Sequence, residues 1–168
     1  MVEYKTYKML VEFNELPEAS RVWIYQASRS FSEEELEQVQ YQLDNFIKDW
    51  TAHGSDLRAG YEIKYKRFIV LALDQSLNAA SGCSIDASVH FIQELEKQYN
   101  LELLDKMNVS YKQGEFVAYK PLADFKKMAK QKAVSKNTIV FNNLVTNKHE
   151  YLNHWEVPAQ DSWHSRFM

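Results

Sequence analysis

Apolar and polar positions alternate in two different rhythms along the first hundred residues, and each rhythm marks an element. Arg21–Ser28 gathers β-branched and aromatic residues and reads as a strand. Ser32 stands three positions before Glu35, the spacing of a capping box, in which each side chain serves the other's orphan backbone donor. From there Leu36, Val39, Leu43, Phe46, Ile47 and Trp50 recur at helical spacing, and His53-Gly54 reads as the stop. Tyr61–Tyr65 alternates and Phe68–Leu73 is wholly apolar, so two strands meet at a tight turn near Lys66-Arg67, the second more buried than the first. Asp74–Ser84 reads as a loop. Ile85, Val89, Ile92, Leu95 and Tyr99 then restore the helical period, and Asn100 ends it.

Strand, helix, strand, strand, helix is the order of an α+β, ferredoxin-like βαββα sandwich, with helices on one face of an antiparallel sheet. The fourth strand has two candidates, Met9–Phe13 and Val109–Tyr111, and the pattern does not choose between them. A division at 105 follows from the change of rhythm, with 1–105 the α+β domain and 106–168 a small extension. In the extension, Val109–Tyr119 reads as a hairpin turning at Gln113-Gly114. Pro121 opens a short helix to about Gln131, Thr138–Phe141 is a strand, Asn147 with Glu150 caps a further helix, and the end is an irregular aromatic tail. This order resembles the hairpin-helix-strand module of GYF-like domains.

The stretches Arg21–Gln26, Trp50–Gly54, Ser81–Asp86, Val140–Val145 and Asp161–Trp163 together resemble a family of small bacterial proteins of uncharacterised activity. Some members carry the label "ABC transporter ATPase". The residues do not support that label. A phosphate loop wraps backbone amides around phosphates and reaches them with a Lys, and no glycine pair stands at that spacing here. The resemblance implies a shared fold and no particular activity.

Composition narrows the function classes. Twenty Lys and Arg against 23 Asp and Glu leave a net charge of -3, too little to call for a polyanionic partner. No apolar run approaches the ~20 residues of a membrane helix. One cysteine and no secretory pattern at the N-terminus suit a reducing cytoplasm, which is the expected location. Residues 106–136 hold eight Lys and two acids but no Arg, so bidentate phosphate recognition is missing and a solvated helix face explains Lys126, Lys127 and Lys130 better than nucleic acid does. His149, His154 and His164 lack the spacing and the second Cys of a metal site, and no cofactor motif occurs.

The most distinctive stretch is Ser81-Gly82-Cys83-Ser84-Ile85-Asp86, placed just before a helix. Free N–H groups and the helix dipole there favour an anion. The same field would favour a Cys83 thiolate, and Asp86 and His90 follow at three and seven positions, the ingredients of thiol catalysis. The plainer reading makes Ser84 or Asp86 the N-cap, Cys83 a small buried residue and His90 a solvent-facing one. In a ferredoxin-like sheet the two strand-to-helix loops are expected at one end, which would bring Arg29 to Ser81, Gly82 and Ser84 as a pocket for a small anionic ligand. A complete catalytic set is absent, so the expected function is a binding or interaction module for such a ligand or for a protein partner, as a monomer or homo-oligomer. A small enzyme using Cys83, and an ATPase, are the alternatives.

Overall fold

A computed structural model describes residues 10–168. In chain order these form β1 (Arg21–Gln26), α1 (Glu33–Asp49), β2 (Thr51–Ala52), β3 (Ser55–Asp56), β4 (Arg58–Lys64), β5 (Phe68–Asp74), α2 (Gly82–Tyr99), β6 (Asn108–Gln113), β7 (Phe116–Pro121), α3 (Leu122–Lys130), β8 (Ile139–Phe141), α4 (Lys148–His154) and β9 (Glu156–Pro158). The fold is α+β, and its strands pair antiparallel in the order β1-β5-β4 in one sheet and β7-β6-β8-β9 in another. No helix among the described residues is long and apolar enough to cross a membrane.

The apolar run of β5 has a simple cause. All seven of its residues are buried, because both faces of its sheet are covered. Ile69, Leu71 and Leu73 face α1 and α2, packing with Val39, Leu43, Ile47, Ile92 and Leu95. Phe68, Val70 and Ala72 face the other way and pack with Val117, Phe141, Tyr151 and Trp155. The C-terminal segment therefore supplies half of the core around β5. A third cluster, with Tyr111, Phe125 and Val140 at its centre, lies beyond the second sheet and receives Trp163 and Phe167 of the tail.

β5 lies between β1 and β4, the order of a split βαβ unit. Among the described residues the first sheet has three strands, and neither sequence candidate adds a fourth there. Val109–Tyr111 belongs to β6 of the second sheet. Met9 lies outside the described residues, and the next residue, Leu10, makes one isolated parallel bridge to Ala59. Beside it, Val11 N–H donates to Ala59 O at 3.0 Å. Gly60 permits this crossing, since a Cβ there would stand 2.5 Å from Val11 O. Along the outer edge of β1, Val22 N–H donates to Thr146 O at 2.9 Å and Arg21 bridges Asn147.

Local signals act largely where expected. Ser32 and Glu35 form the capping box of α1, and Asn100 closes α2 in the left-handed region at φ 51°. Tyr65 and Lys66 both take positive φ in the β4–β5 turn, at 53° and 56°. Two boundaries differ. His53 and Gly54 have positive φ, but they turn the small β2–β3 hairpin, and α1 ends earlier with Trp50 as its C-cap. α2 begins at Gly82 rather than Ile85, because Ser81 accepts from Ser84 N and Ser84 Oγ accepts from Ser81 N. Neither Ser84 nor Asp86 is the N-cap.

Candidate functional site

The antiparallel pairing of β1 with β5 decides where the sequence candidates lie. Gln26, the last residue of β1, is paired with Phe68, the first of β5, and Arg21 with Leu73. The loops that follow the two strands therefore leave at opposite ends of the sheet. This corrects the expectation that they share one end. Arg29 does not reach Ser81, Gly82 or Ser84. Its guanidinium holds both carboxylate oxygens of Glu35, at 2.9 and 3.0 Å, and donates to Tyr99 O, at 2.6 Å, on the last turn of α2. Arg29 with the Ser32 amide holds the Glu35 carboxyl at about 2.

At the other end of the helical layer, the end of α1 meets the start of α2 in an open groove of about 570 Å³. Its floor is aromatic. Phe46 and Phe91 stack at 4.5 Å with their planes 9° apart, and Trp50 lies 5.4 Å from Phe46. Trp50 is itself buried, with Trp23 edge-on at 5.9 Å, and its indole N–H donates to Ser84 O at 2.8 Å. That bond ties the end of α1 to the first turn of α2. Gln42, Asn45, Asp49, Thr51, His53 and Ser81 give polar groups to the groove, and Ala87 and Cys83 complete it.

Cys83 is exposed, not buried. It shares a helix face with Ala87 and Phe91 at steps of four, and all three line the groove. Asp86 and His90 follow Cys83 at three and seven positions on α2. Both are exposed, neither lines the groove, and His90 turns to Glu94 at 3.5 Å. Among the described residues no hydrogen bond joins Cys83 to a histidine or an acid, so the Cys83–Asp86–His90 set does not assemble. Ser84 is buried and spent on the cap, and Gly82 lies open to solvent.

The other sequence candidates disperse. His149 pairs with Glu18 at 3.1 Å, while His164 is fully buried, bonded to Ser162 at 2.7 Å and stacked on Trp163 at 3.8 Å. Burial lowers His164 to about 4. Among the described residues no three His, Cys, Asp or Glu side chains gather as a metal set. Lys126, Lys127 and Lys130 lie exposed on α3, with the Lys126 ammonium over the Phe167 ring at 5.0 Å.

Sequence reasoning missed the aromatic floor, because Phe46 and Trp50 read as part of the apolar face of the first helix, and Phe91 fell outside the apolar stripe from Ile85 to Tyr99. One signal was available. Trp50–Gly54 and Ser81–Asp86, two of the stretches that carry the family resemblance, meet at this groove. Compared with known proteins, the chain matches no protein-family profile, no curated protein and no solved structure.

Proposed function

We propose that the chain is a non-catalytic binding module, and that the groove between the end of α1 and the start of α2 receives a small ligand, or one side chain of a partner, through a flat apolar group. The observation that carries this reading is the solvent-accessible aromatic floor of Phe46 and Phe91 beside Trp50. Binding pockets combine apolar walls with a few polar groups that orient the ligand. Here Asn45, Asp49 and His53 at the rim supply them. Cys83 lines the groove while Asp86 and His90 do not, and His90 turns to Glu94, which favours binding over thiol chemistry. The Arg29 anion pocket is given up, since Arg29 lies at the far end of α2.

Titration with indole and benzoate, followed by backbone chemical shifts, tests the reading. Shifts centred on Phe46, Trp50 and Phe91, reduced in Phe91→Ala, are expected. Shifts on other surfaces, or none at millimolar probe, would defeat it. The ATPase reading lacks a phosphate loop, and the same preparation is expected to release no phosphate from ATP above background.

The order β1-β5-β4 with α1 and α2 on one face supports reading residues 1–105 as a ferredoxin-like unit short of its fourth strand. Residues 106–168 then form the extension that covers its other face.

A further inference from the structure

Two cations are buried among the described residues, and they differ in how they are served. The Lys148 ammonium donates to three carbonyls, those of Phe13, Asn14 and Leu16, at 3.0, 3.2 and 2.7 Å. Its three donors are all used. Arg67, only 5% exposed, sits where the β4–β5 turn meets the second sheet. Its Nη1 donates to Val117 O at 2.7 Å and its Nη2 to Ala27 O at 3.2 Å. No carboxylate pairs with it among the described residues. Its Nε is buried with no partner. The guanidinium carbon stands 5.8 Å from the ring centre of Tyr119, and the Tyr119 hydroxyl is also buried, with the Asn108 side chain near it but no acceptor for its proton.

A buried charge without a counter-charge is costly, and buried donors without acceptors add to the cost. A neighbouring buried polar group is served by partners. Gln26 is fully engaged, accepting from Ser110 and Asn143 and donating to Asn108 O. What the Arg67–Tyr119 pair lacks is an acceptor, and beside an unpaired guanidinium the favoured acceptor is negative. Tyr119 as a whole is half-buried, with its hydroxyl inside. Glu102 and Asp105 lie near enough to act on the Tyr119 phenol, and they disfavour a multiply charged guest. We propose that the junction between the two sheets binds one small monovalent anion, of halide or formate size, between Arg67 Nε and the Tyr119 hydroxyl.

The thermal midpoint of the full chain tests this when sodium gluconate is replaced stepwise by sodium chloride or sodium formate at fixed ionic strength. The midpoint should rise and saturate, because an anion bound only by the folded state stabilises it. Tyr119→Phe removes the hydroxyl and keeps the ring beside the guanidinium, so it should fold normally and raise the half-saturating concentration several-fold. Arg67→Met should abolish the dependence. Line broadening of ³⁵Cl by the wild-type chain, reduced in Tyr119→Phe, gives a second readout if Arg67→Met fails to fold. Equal midpoints in the three salts, or the same salt response in wild type and Tyr119→Phe, would overturn the proposal and leave water as the missing acceptor.

Discussion

α1 and α2 begin with the same device and end in opposite surroundings. Each N-cap is a serine in a reciprocal box, Ser32 with Glu35 and Ser81 with Ser84. The difference lies in the reach of the third helical residue. Glu35 is long enough to serve the cap and still take both arms of Arg29, which in turn clasps Tyr99 O at the end of α2. Glu33 adds a pair with Lys66. That end of the helical layer is closed. Ser84 is short, turns back onto Ser81, and lies buried beneath the Trp50 indole. No acid stands in the first turn of α2, and the chain beyond it stays open as the aromatic groove. Identical capping chemistry therefore says nothing about whether a helix start is a closed joint or an accessible site. The neighbouring side chains decide.

The largest expected effect separates the two ends by function. Trp50→Ala should cost about 4 kcal/mol, the range for truncating a buried Trp. Phe31→Ala is the matched change at the closed end, since Phe31 is buried and edge-on to Tyr99 at 5.9 Å. Urea midpoints should fall in both variants, but only Trp50→Ala, or the milder Trp50→Phe, should also alter the response to aromatic probes. If Phe31→Ala changes probe binding equally, the groove has no special standing.

Next come the caps. Ser32→Ala and Ser81→Ala should each cost about 1 kcal/mol by chemical denaturation. The sharper expectation is in the probe titration, where Ser81→Ala moves the groove and Ser32→Ala leaves it untouched.

Arg29→Ala should cost under about 1 kcal/mol, since the pair with Glu35 is partly exposed. Its signature is pH dependence. Glu35 is held at about 2 against its ordinary 4.5, so its contribution is present above about pH 4.5 and is lost as the pH falls toward 2. Removing Arg29 should reduce that loss, and midpoints measured from pH 5 to pH 2 check it. A wild-type profile unchanged by Arg29→Ala would mean that Ser32 alone holds the carboxylate.

The smallest effect on stability concerns Cys83, and Cys83→Ser should leave the midpoint within error. Its thiol is exposed, so native protein should react with a thiol reagent without unfolding, and an aromatic probe in the groove should slow that reaction. A rate far above that of a free thiol would restore the catalytic reading of the Ser81–Asp86 stretch.

Much of the fold was legible because it is written in short-range chemistry. The Ser32/Glu35 box, the helical spacing from Leu36 to Trp50, the doubly buried run of β5, and the Gln113-Gly114 turn each depend on residues within a few positions of one another. The errors came where one residue type serves two purposes. Gly54 with positive φ suits a helix end or a hairpin turn, and it makes the hairpin. Ser84 and Asp86 were read as the candidate caps of the second helix, and Ser81, whose partner stands three residues on, is the cap instead. The site was less legible still. Cys83, Asp86 and His90 are close in sequence, yet the helix sends Cys83 to the groove with Ala87 and Phe91 and leaves the other two outside.

Element type, capping and the apolar stripes of α1 and α2 were determined by the sequence itself, because propensity, periodicity and local hydrogen bonds act over a turn or two of chain. The tertiary structure decided which ends meet. Antiparallel insertion of β5 beside β1 sent Arg29 and Ser81 to opposite ends of the sheet, and it brought Phe46 and Trp50 to Cys83 and Phe91 across forty residues of sequence. The far face of the same strand packs on Phe141 and Trp155, which sets Arg67 against Val117 and Tyr119 at the junction. Strand direction and sheet order follow from how the whole apolar surface is buried at once, and no local run of residues carries that information.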